Sequence, residues 1–404
     1  MWGNSSMFNN KNIVLIVTGG VAAYKAATFA RLLIKEKATV RVVLTNAASE
    51  FITDKTFAAL TQQPVLMDLF DNNVDYIAHI SLADWADYIF VVPITANMLA
   101  KIAHGIADDA ASTVILARHT PLIVVPAMNV NMYENPAVQR NLAQLKADGV
   151  FIIEPVTGLL AEGYVGKGRM PEPLEILKQS ELKLRQKDGQ LKGRKVIVTA
   201  GGTLEPIDPV RYISNRSSGK MGLAFAQAAS EAGAEVLLIT TSDLPVPFGV
   251  EVKRVETAQQ MLDAILARYD WADLVVMAAA VADYRFSQPA EQKIKKQAEH
   301  QALHLDLVEN PDILAQLGAA KTHQYLIGFA AETNDLLAHA SEKLKKKHVD
   351  MLLANDVSKE NIGFGYDTNE LLILEPDKSP ITLPLASKLE LARKILLDVA
   401  KKIK

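Results

Sequence analysis

Ile13 to Ala27 reads IVLIVTGGVAAYKAA, and the stretch from Lys195 to Gly222 opens KVIVTAGGT and closes NRSSGKMG. Each runs from a short apolar strand through paired glycines toward a helical pattern, which is how an α/β sheet presents backbone N–H groups to a phosphate. One such entrance lies in each half of the chain. Two mononucleotide sites are therefore expected, serving two reactions.

Outward from the first entrance, apolar strands alternate with helical stretches: VRVVLT (40 to 45), YIFVVP (88 to 93), LIVVPA (122 to 127) and VFIIEP (150 to 155). Outward from the second come EVLLIT (235 to 240), DLVVMAAA (273 to 280), YLIGFAA (325 to 331) and DMLLAND (350 to 356). This repeat predicts an α/β protein of two doubly wound, Rossmann-like domains. Lys183 to Arg194 (KLRQKDGQLKGR) is charged and poor in apolar residues, so it reads as a linker between domains at 1–182 and 195–404. Gln288 to His304 interrupts the second repeat and reads as an inserted loop or ribbon.

The 404 residues suffice for two cores, and 49% hydrophobic with 22% charged residues is a soluble globular composition. A formal charge of −3 offers no general attraction to nucleic acid or anionic lipid. The amino-terminal MWGNSSMFNNKN lacks the basic and apolar regions of a secretion signal, so a cytoplasmic location with no membrane partner is expected. There is no cysteine, which excludes disulfides, thiolate metal sites and cysteine nucleophiles.

At the first entrance GGVAA is not GxGxxG, and the second strand ends in Thr45-Asn46 where a dinucleotide fold carries an acid for the ribose. FMN is thus a better expectation than NAD. Its candidate contacts are Gly19 and Gly20, Thr45, the turn Thr95-Ala96-Asn97, and Met128. Any one of these serves equally well as a simple turn residue; three turns on one rim favour a site. His79, read as lying on a loop before a helix, says little alone. Asn129, in PAMNVNM directly after a strand, is placed to hold a substrate carboxylate or amide.

TGGVAAYK, His79 and PAMNVNM together resemble the flavodoxin-like flavoproteins that decarboxylate cysteine-containing substrates. The resemblance implies an oxidation before carbon dioxide leaves, because direct decarboxylation of a cysteinyl group leaves a carbanion with nothing to delocalise it. Oxidation by FMN at the carbon bearing sulfur gives a thioaldehyde, whose C=S accepts the electrons as an enethiolate; the same flavin then re-reduces it. His79 is implied as base or electrostatic partner of the oxidation, and Asn129 as anchor of the carboxylate. The family protonates the product from a cysteine in a glycine-rich lid. Here the lid reads TGLLAEGYVGKGRM (157 to 170), and Glu162 stands where that cysteine is expected. Glu162 is therefore the expected acid, its pKa raised by burial under the closed lid, with water or Tyr164 as the other available donor.

At the second entrance NRSSGKMG resembles a P-loop but fails as one, with Ser214 where Walker A needs glycine and Met221 where it needs Ser or Thr. Further strand ends offer Ala279-Ala280-Val281 with Asp283, and Phe329. Lys293, Lys295 and Lys296 in KIKK, and Lys343 to Lys347, read as basic loops suited to phosphates. Taken in order, DPVRYISNRSSGKMG, AAVADYR, QKIKK, NPDI, GFAAET and LLANDV resemble the phosphopantothenate-cysteine ligase domain.

The two likenesses, in this order, identify the chain as similar to the bifunctional bacterial family of coenzyme A synthesis. That implies CTP-dependent activation of 4'-phosphopantothenate as an acyl-cytidylate, capture by L-cysteine, and decarboxylation of the product to 4'-phosphopantetheine. The resemblance assigns Asn215 to positioning the acyl-cytidylate and Lys293 to stabilising negative charge. It assigns Asp283, Phe329, Lys343, Lys347 and the turn Asn310-Pro311-Asp312-Ile313 to CTP. Mg2+ is expected from triphosphate chemistry rather than from a ligand motif. A homo-oligomer of trimeric flavin domains and paired ligase domains, as in a dodecamer, is also implied. The competing readings are a peptide cysteine decarboxylase, a flavin prenyltransferase, or a flavin-binding regulatory or scaffold protein with an impaired lid; the attached ligase-like domain opposes the first two.

Overall fold

In the strand Asn12–Val17 (β1), Ile13, Leu15 and Val17 enter one apolar cluster while Val14 and Ile16 enter another, and all five are fully buried. A strand buried on both faces needs helices on both faces. Burying each such side chain contributes about 1.5–3 kcal/mol, so the continuous apolar run fixes both the depth and the register of the strand. The computed structural model describes residues 6–70, 77–295, 304–332, 336–356, 363 and 365–403, and divides into one unit up to Leu184 and one from Arg185.

The first unit follows β1 with α1 (Tyr24–Lys35), β2 (Thr39–Leu44), α2 (Asn46–Ser49), α3 (Asp54–Thr61), β3 (Val65–Leu66), α4 (Ala78–Trp85) and β4 (Tyr88–Ile94). It continues with α5 (Ala96–His104), α6 (Ala110–Ala117), β5 (Leu122–Pro126), α7 (Val130–Tyr133), α8 (Pro136–Ala147) and β6 (Phe151–Ile152). A hairpin of β7 (Val156–Leu159) and β8 (Val165–Arg169) precedes α9 (Pro173–Lys187). The sheet order is β3-β2-β1-β4-β5-β6, all parallel. Helices α1, α3 and α9 supply one core, with Phe29, Phe57 and Ile176; α4, α5, α6 and α8 supply the other, with Leu82, Leu99, Val114 and Leu142.

The second unit repeats the plan from β9 (Lys195–Ala200), with a ribbon of β10 (Leu204–Asp208) and β11 (Arg211–Ser214), then α10 (Lys220–Glu231), β12 (Glu235–Thr240), β13 (Glu251–Arg254), α11 (Ala258–Leu266) and β14 (Leu274–Met277). After it come β15 (Tyr284–Phe286), β16 (Leu307–Glu309), α12 (Ile313–Ala320), β17 (Tyr325–Glu332), α13 (Leu336–Lys346), β18 (Met351–Asp356), β19 (Thr368–Leu374), β20 (Ile381–Ser387) and α14 (Lys388–Val399). Its eight-stranded sheet runs β13-β12-β9-β14-β17-β18-β19-β20. Val196 and Val198 pack with α10 and α14, Ile197 with α11, α12 and α13. The sheet is parallel as far as β18, and β19 and β20 then add antiparallel strands that the βα repeat did not reveal. The insertion after Phe286 is closed at its base by pairing of β15 with β16. Lys296 lies outside the described residues.

Lys183 to Arg194 is not a free linker. Its first five residues complete α9, Leu184 is buried in the first core, and Leu191 is 1% exposed in the second, its N–H donating to Ala232 O at 2.9 Å. Two buried leucines anchor a stretch whose other residues are half-buried or exposed.

In both sheets the chain reverses its winding direction beside the first strand, between β1 and β4 and between β9 and β14. Ligands of such folds bind at the carboxyl ends of the strands at that point. At the second of these places Gly222 lets α10 sit directly on β9: a Cβ there would lie 2.4 Å from Thr199 O and 2.5 Å from Ala200 Cβ. Gly222→Ala should therefore cost on the order of 1–3 kcal/mol of stability in urea unfolding. Gly20→Ala, where the added Cβ meets nothing within 4 Å, should stay within about 0.5 kcal/mol of the unmodified chain.

Candidate functional site

The first candidate site is the carboxyl edge of the six-stranded sheet. Buried Thr18, directly after β1, donates its hydroxyl to Pro93 O (2.9 Å) and accepts from Thr95 N–H (3.0 Å), so the ends of β1 and β4 are stitched together. Thr45 and Thr95 each cap a helix, accepting from Ala48 N–H and Met98 N–H, both at 3.3 Å. Gly19 is required by close approach, since a Cβ would lie 2.5 Å from Ala47 Cβ. Gly20 begins the first helical turn, Val21–Ala23, without a side-chain cap, which leaves N–H groups at this rim open to an anion. Ala96 and Asn97 form the first turn of α5 on the same edge.

His79 is not on a loop: it sits in the first turn of α4, half-buried. Ile77 at the cap position makes no side-chain hydrogen bond, so the sequence carries no start signal there. Because α4 leads into the amino end of β4, its own beginning, with His79, lies toward the carboxyl edge.

The β7–β8 hairpin docks on the segment after β5. Gly168 permits this, because a Cβ would lie 2.1 Å from Met128 O, and Met128 N–H donates to Gly168 O at 3.1 Å. At the hairpin tip the structure brings two expected residues together. Asn129 caps α7, its Oδ1 accepting from Asn131 N–H (2.8 Å), while its Nδ2 donates to Glu162 Oε1 (3.0 Å) and to the Tyr164 hydroxyl oxygen. No hydrogen bond among the described residues joins His79 to this set. Glu162 is exposed, and the hydrogen bond from Asn129 holds its carboxyl below the usual carboxylate range. In this arrangement the carboxyl is therefore lowered rather than raised, because the Asn129 donor favours the ionised form and little burial opposes it.

The second candidate site is a cavity of about 1020 Å³ at the carboxyl edge of the eight-stranded sheet. Its lining gathers Asn215 with the start of α10, Ala279, Ala280, Val281 and Asp283 after β14, Asn310-Pro311-Asp312-Ile313, Phe329 from β17, and Lys343 and Lys347. Asn215 Nδ2 donates to Ala280 O (3.3 Å) and Val281 O (3.1 Å), which fastens the α10 approach to the β14 turn. Asn310 donates to Ala282 O at 2.9 Å, and Asp312 caps α12 while pairing with Lys347. Phe329 packs edge-on against Phe225 with centroids 5.7 Å apart. Lys343 belongs to the last turn of α13 rather than to a loop, and Lys347 directly follows that helix.

Lys293 is absent from the lining and is exposed. Conversely, the cavity includes Lys388, which sequence reasoning missed; it is 5% exposed, donates to Gly363 O (3.0 Å) and Tyr366 O (2.5 Å), and burial pushes its pKa down to about 8. As the first residue of a terminal amphipathic helix it gave no signal. Among the described residues no group of three or more acidic or histidine side chains is placed to hold a metal ion. Among them, too, no helix is long and apolar enough to cross a membrane.

The family described as Flavoprotein matches residues 3–184, and that described as DNA/pantothenate metabolism flavoprotein C-terminal domain matches residues 191–403. The coenzyme A biosynthesis bifunctional protein CoaBC of Bacillus subtilis (strain 168) is 44% identical over 98% of each chain. That of Vibrio vulnificus (strain YJ016) is 43% identical over 96% of this chain and 97% of its own. A crystal structure of the C-terminal domain of a CoaBC protein aligns with a TM-score of 0.45 and 39% identity, over 53% of this chain and 97% of its own.

If the Asn129 amide is what lowers the Glu162 carboxyl, a titration by NMR of the ligand-free protein should place Glu162 below the ordinary value of 4.5. Asn129→Ala should move that titration upward toward the ordinary value. An unchanged titration would show that another group sets it.

Proposed function

Because the chain belongs to the CoaBC family of bifunctional coenzyme A biosynthesis proteins, we propose that its two units perform consecutive steps: the second joins cysteine to 4'-phosphopantothenate with CTP, and the first decarboxylates the product to 4'-phosphopantetheine. The observation that carries this reading is a likeness of 44% over nearly the whole of both chains, spanning two separate sheet-edge sites. A scaffold role would leave the cavity of the second unit without a purpose, and the whole-length likeness favours the enzyme.

In the second unit the cavity has room for a nucleotide and a second substrate together. Ala279 and Ala280 allow close approach of base and ribose, and Phe329 offers a ring edge. Lys343 and Lys347 supply ammonium charge for the triphosphate, and Asn215 orients the acyl-cytidylate. Lys293 would reach the developing oxyanion from its exposed segment. Mg2+ would enter with the triphosphate as its counter-ion.

In the first unit the open N–H groups after Gly20 and the Thr45 and Thr95 turns fit the phosphate and ring edge of FMN. When bound, FMN supplies the reversible two-electron oxidation that makes loss of carbon dioxide feasible. Asn129 holds the departing carboxylate, for which it exchanges its contact with Glu162. That exchange removes the hydrogen bond that lowers the Glu162 carboxyl, so substrate binding moves it back up toward its ordinary range, and closure of the hairpin over the substrate would have to supply the rest of the rise that an acid needs. His79 acts in the oxidation from the start of α4. The enzyme is cytoplasmic and assembles as a homo-oligomer of trimeric flavin and paired ligase domains.

The purified protein should be yellow with a flavin spectrum and release pyrophosphate from CTP only when both 4'-phosphopantothenate and cysteine are present; full activity with ATP would count against the nucleotide assignment. Lys293→Gln should cut ligation to a small residual rate and spare decarboxylation of supplied 4'-phosphopantothenoylcysteine. Glu162→Gln should accumulate the oxidised enethiol; saturated product at the unmodified rate would remove Glu162 from the acid role.

A further inference from the structure

Lys293 lies in a stretch, Ser287 to Lys295, with no helix or strand of its own. What holds that stretch comes from the β10–β11 ribbon. Asp208, the last residue of β10, is 3% exposed, and its Oδ1 accepts from Val210 N–H and Arg211 N–H, both at 2.9 Å. Those two bonds complete the ribbon's turn. The other oxygen is surplus to the turn, and it accepts from Ile294 N–H at 3.1 Å, across 86 residues of chain. Arg211 closes the arrangement: its Nε donates to Asp208 Oδ2 (3.1 Å) and its Nη2 to Ile294 O (3.0 Å). Both backbone polar groups of Ile294 are therefore gripped by one ion pair, and Ala290 N–H adds a bond to Ile207 O at 2.9 Å.

We propose that Asp208 is a positioning residue for ligation: with Arg211 it clamps the peptide next to Lys293 and so fixes where the Lys293 ammonium is delivered. This rests on the reading of Lys293 as the group that stabilises negative charge. The arrangement suits the task. Lysine is a flexible point charge, so its placement has to be set by the backbone beneath it. The Arg211 guanidinium beside Asp208 holds the carboxyl well below the usual carboxylate range, so the clamp stays charged at any working pH. A fork that reaches both a carboxylate and a carbonyl is a geometry only arginine supplies.

The test uses the full-length enzyme with Asp208→Asn, Arg211→Lys, Lys293→Gln and the double variant Asp208→Asn with Lys293→Gln. CTP-dependent pyrophosphate release is followed at varied CTP, with decarboxylation of supplied 4'-phosphopantothenoylcysteine as the measure of an intact chain. Misplacing a charge-stabilising group costs rate rather than binding, so Asp208→Asn should lower kcat for ligation by roughly 10- to 100-fold and leave KM for CTP within about threefold. Arg211→Lys should do the same, and it carries the test if Asp208→Asn fails to fold. In the Lys293→Gln background, Asp208→Asn should cost less than about twofold more, because both changes act through one side chain. Unimpaired kcat in both clamp variants, with Lys293→Gln reduced to a residual rate, would overturn the clamp alone. So would losses that multiply in the double variant. Full ligation by Lys293→Gln would overturn the reading of Lys293 and the proposal with it.

Discussion

Both units depend on backbone meeting backbone where the first strand ends. At Gly19 the chain passes Ala47, and at Gly222 a helix rests on the carbonyl of Thr199, at separations that leave no room for a methyl group. The contact places the first helical turn at the reversal point of each sheet, so its unsatisfied N–H groups face the space where the strands part. Everything that follows is arranged around those two gaps. Threonine caps border the first, and the alanine-rich turn after β14 borders the second.

The two sites solve different electrostatic problems. The first has one neutral amide, Asn129, serving a lid carboxylate and a phenol at once, so its donors are already committed before a ligand arrives. Under the proposed function, a ligand that took the Asn129 amide would exchange partners with it rather than fill a vacant hole. The second is bordered by lysines whose charges are partly spoken for, Lys347 by Asp312 and Lys220 by Asp367, while Lys388 is dried and held by carbonyls. Pairing keeps such charges oriented, and under the proposed function a triphosphate would bind them by displacing the carboxylates.

The parallel strands were legible because their side chains are buried on both faces; KVIVTA and EVLLIT match β9 and β12 residue for residue. The antiparallel edge was not. β20 contains Pro384 and is largely exposed, so it lacks the apolar run that marked the others, and only an edge strand tolerates that proline. Most nucleotide-side candidates line one cavity; those that follow a strand end, such as Ala279 to Asp283 after β14 and Asn310 after β16, were legible from the topology, while Lys343 and Lys347 reach it from the end of α13. The misses share a different cause. The lowered carboxyl of Glu162 traces to Asn129, 33 residues away, and Lys388 is held by the carbonyls of Gly363 and Tyr366, 25 and 22 residues away beyond two strands; no local pattern announces either.

The lid tip has a chemical corollary. A protein that binds cysteine and releases a thiol product works beside reactive sulfur at every turnover. A lid cysteine would be open to capture as a mixed disulfide with substrate, product or the surrounding thiol pool, because exchange requires a thiolate on the protein. With a carboxylate at position 162 and no cysteine anywhere in its 404 residues, this chain offers thiol–disulfide exchange no foothold, and thiol-directed oxidants and alkylating reagents find no thiol in it to trap.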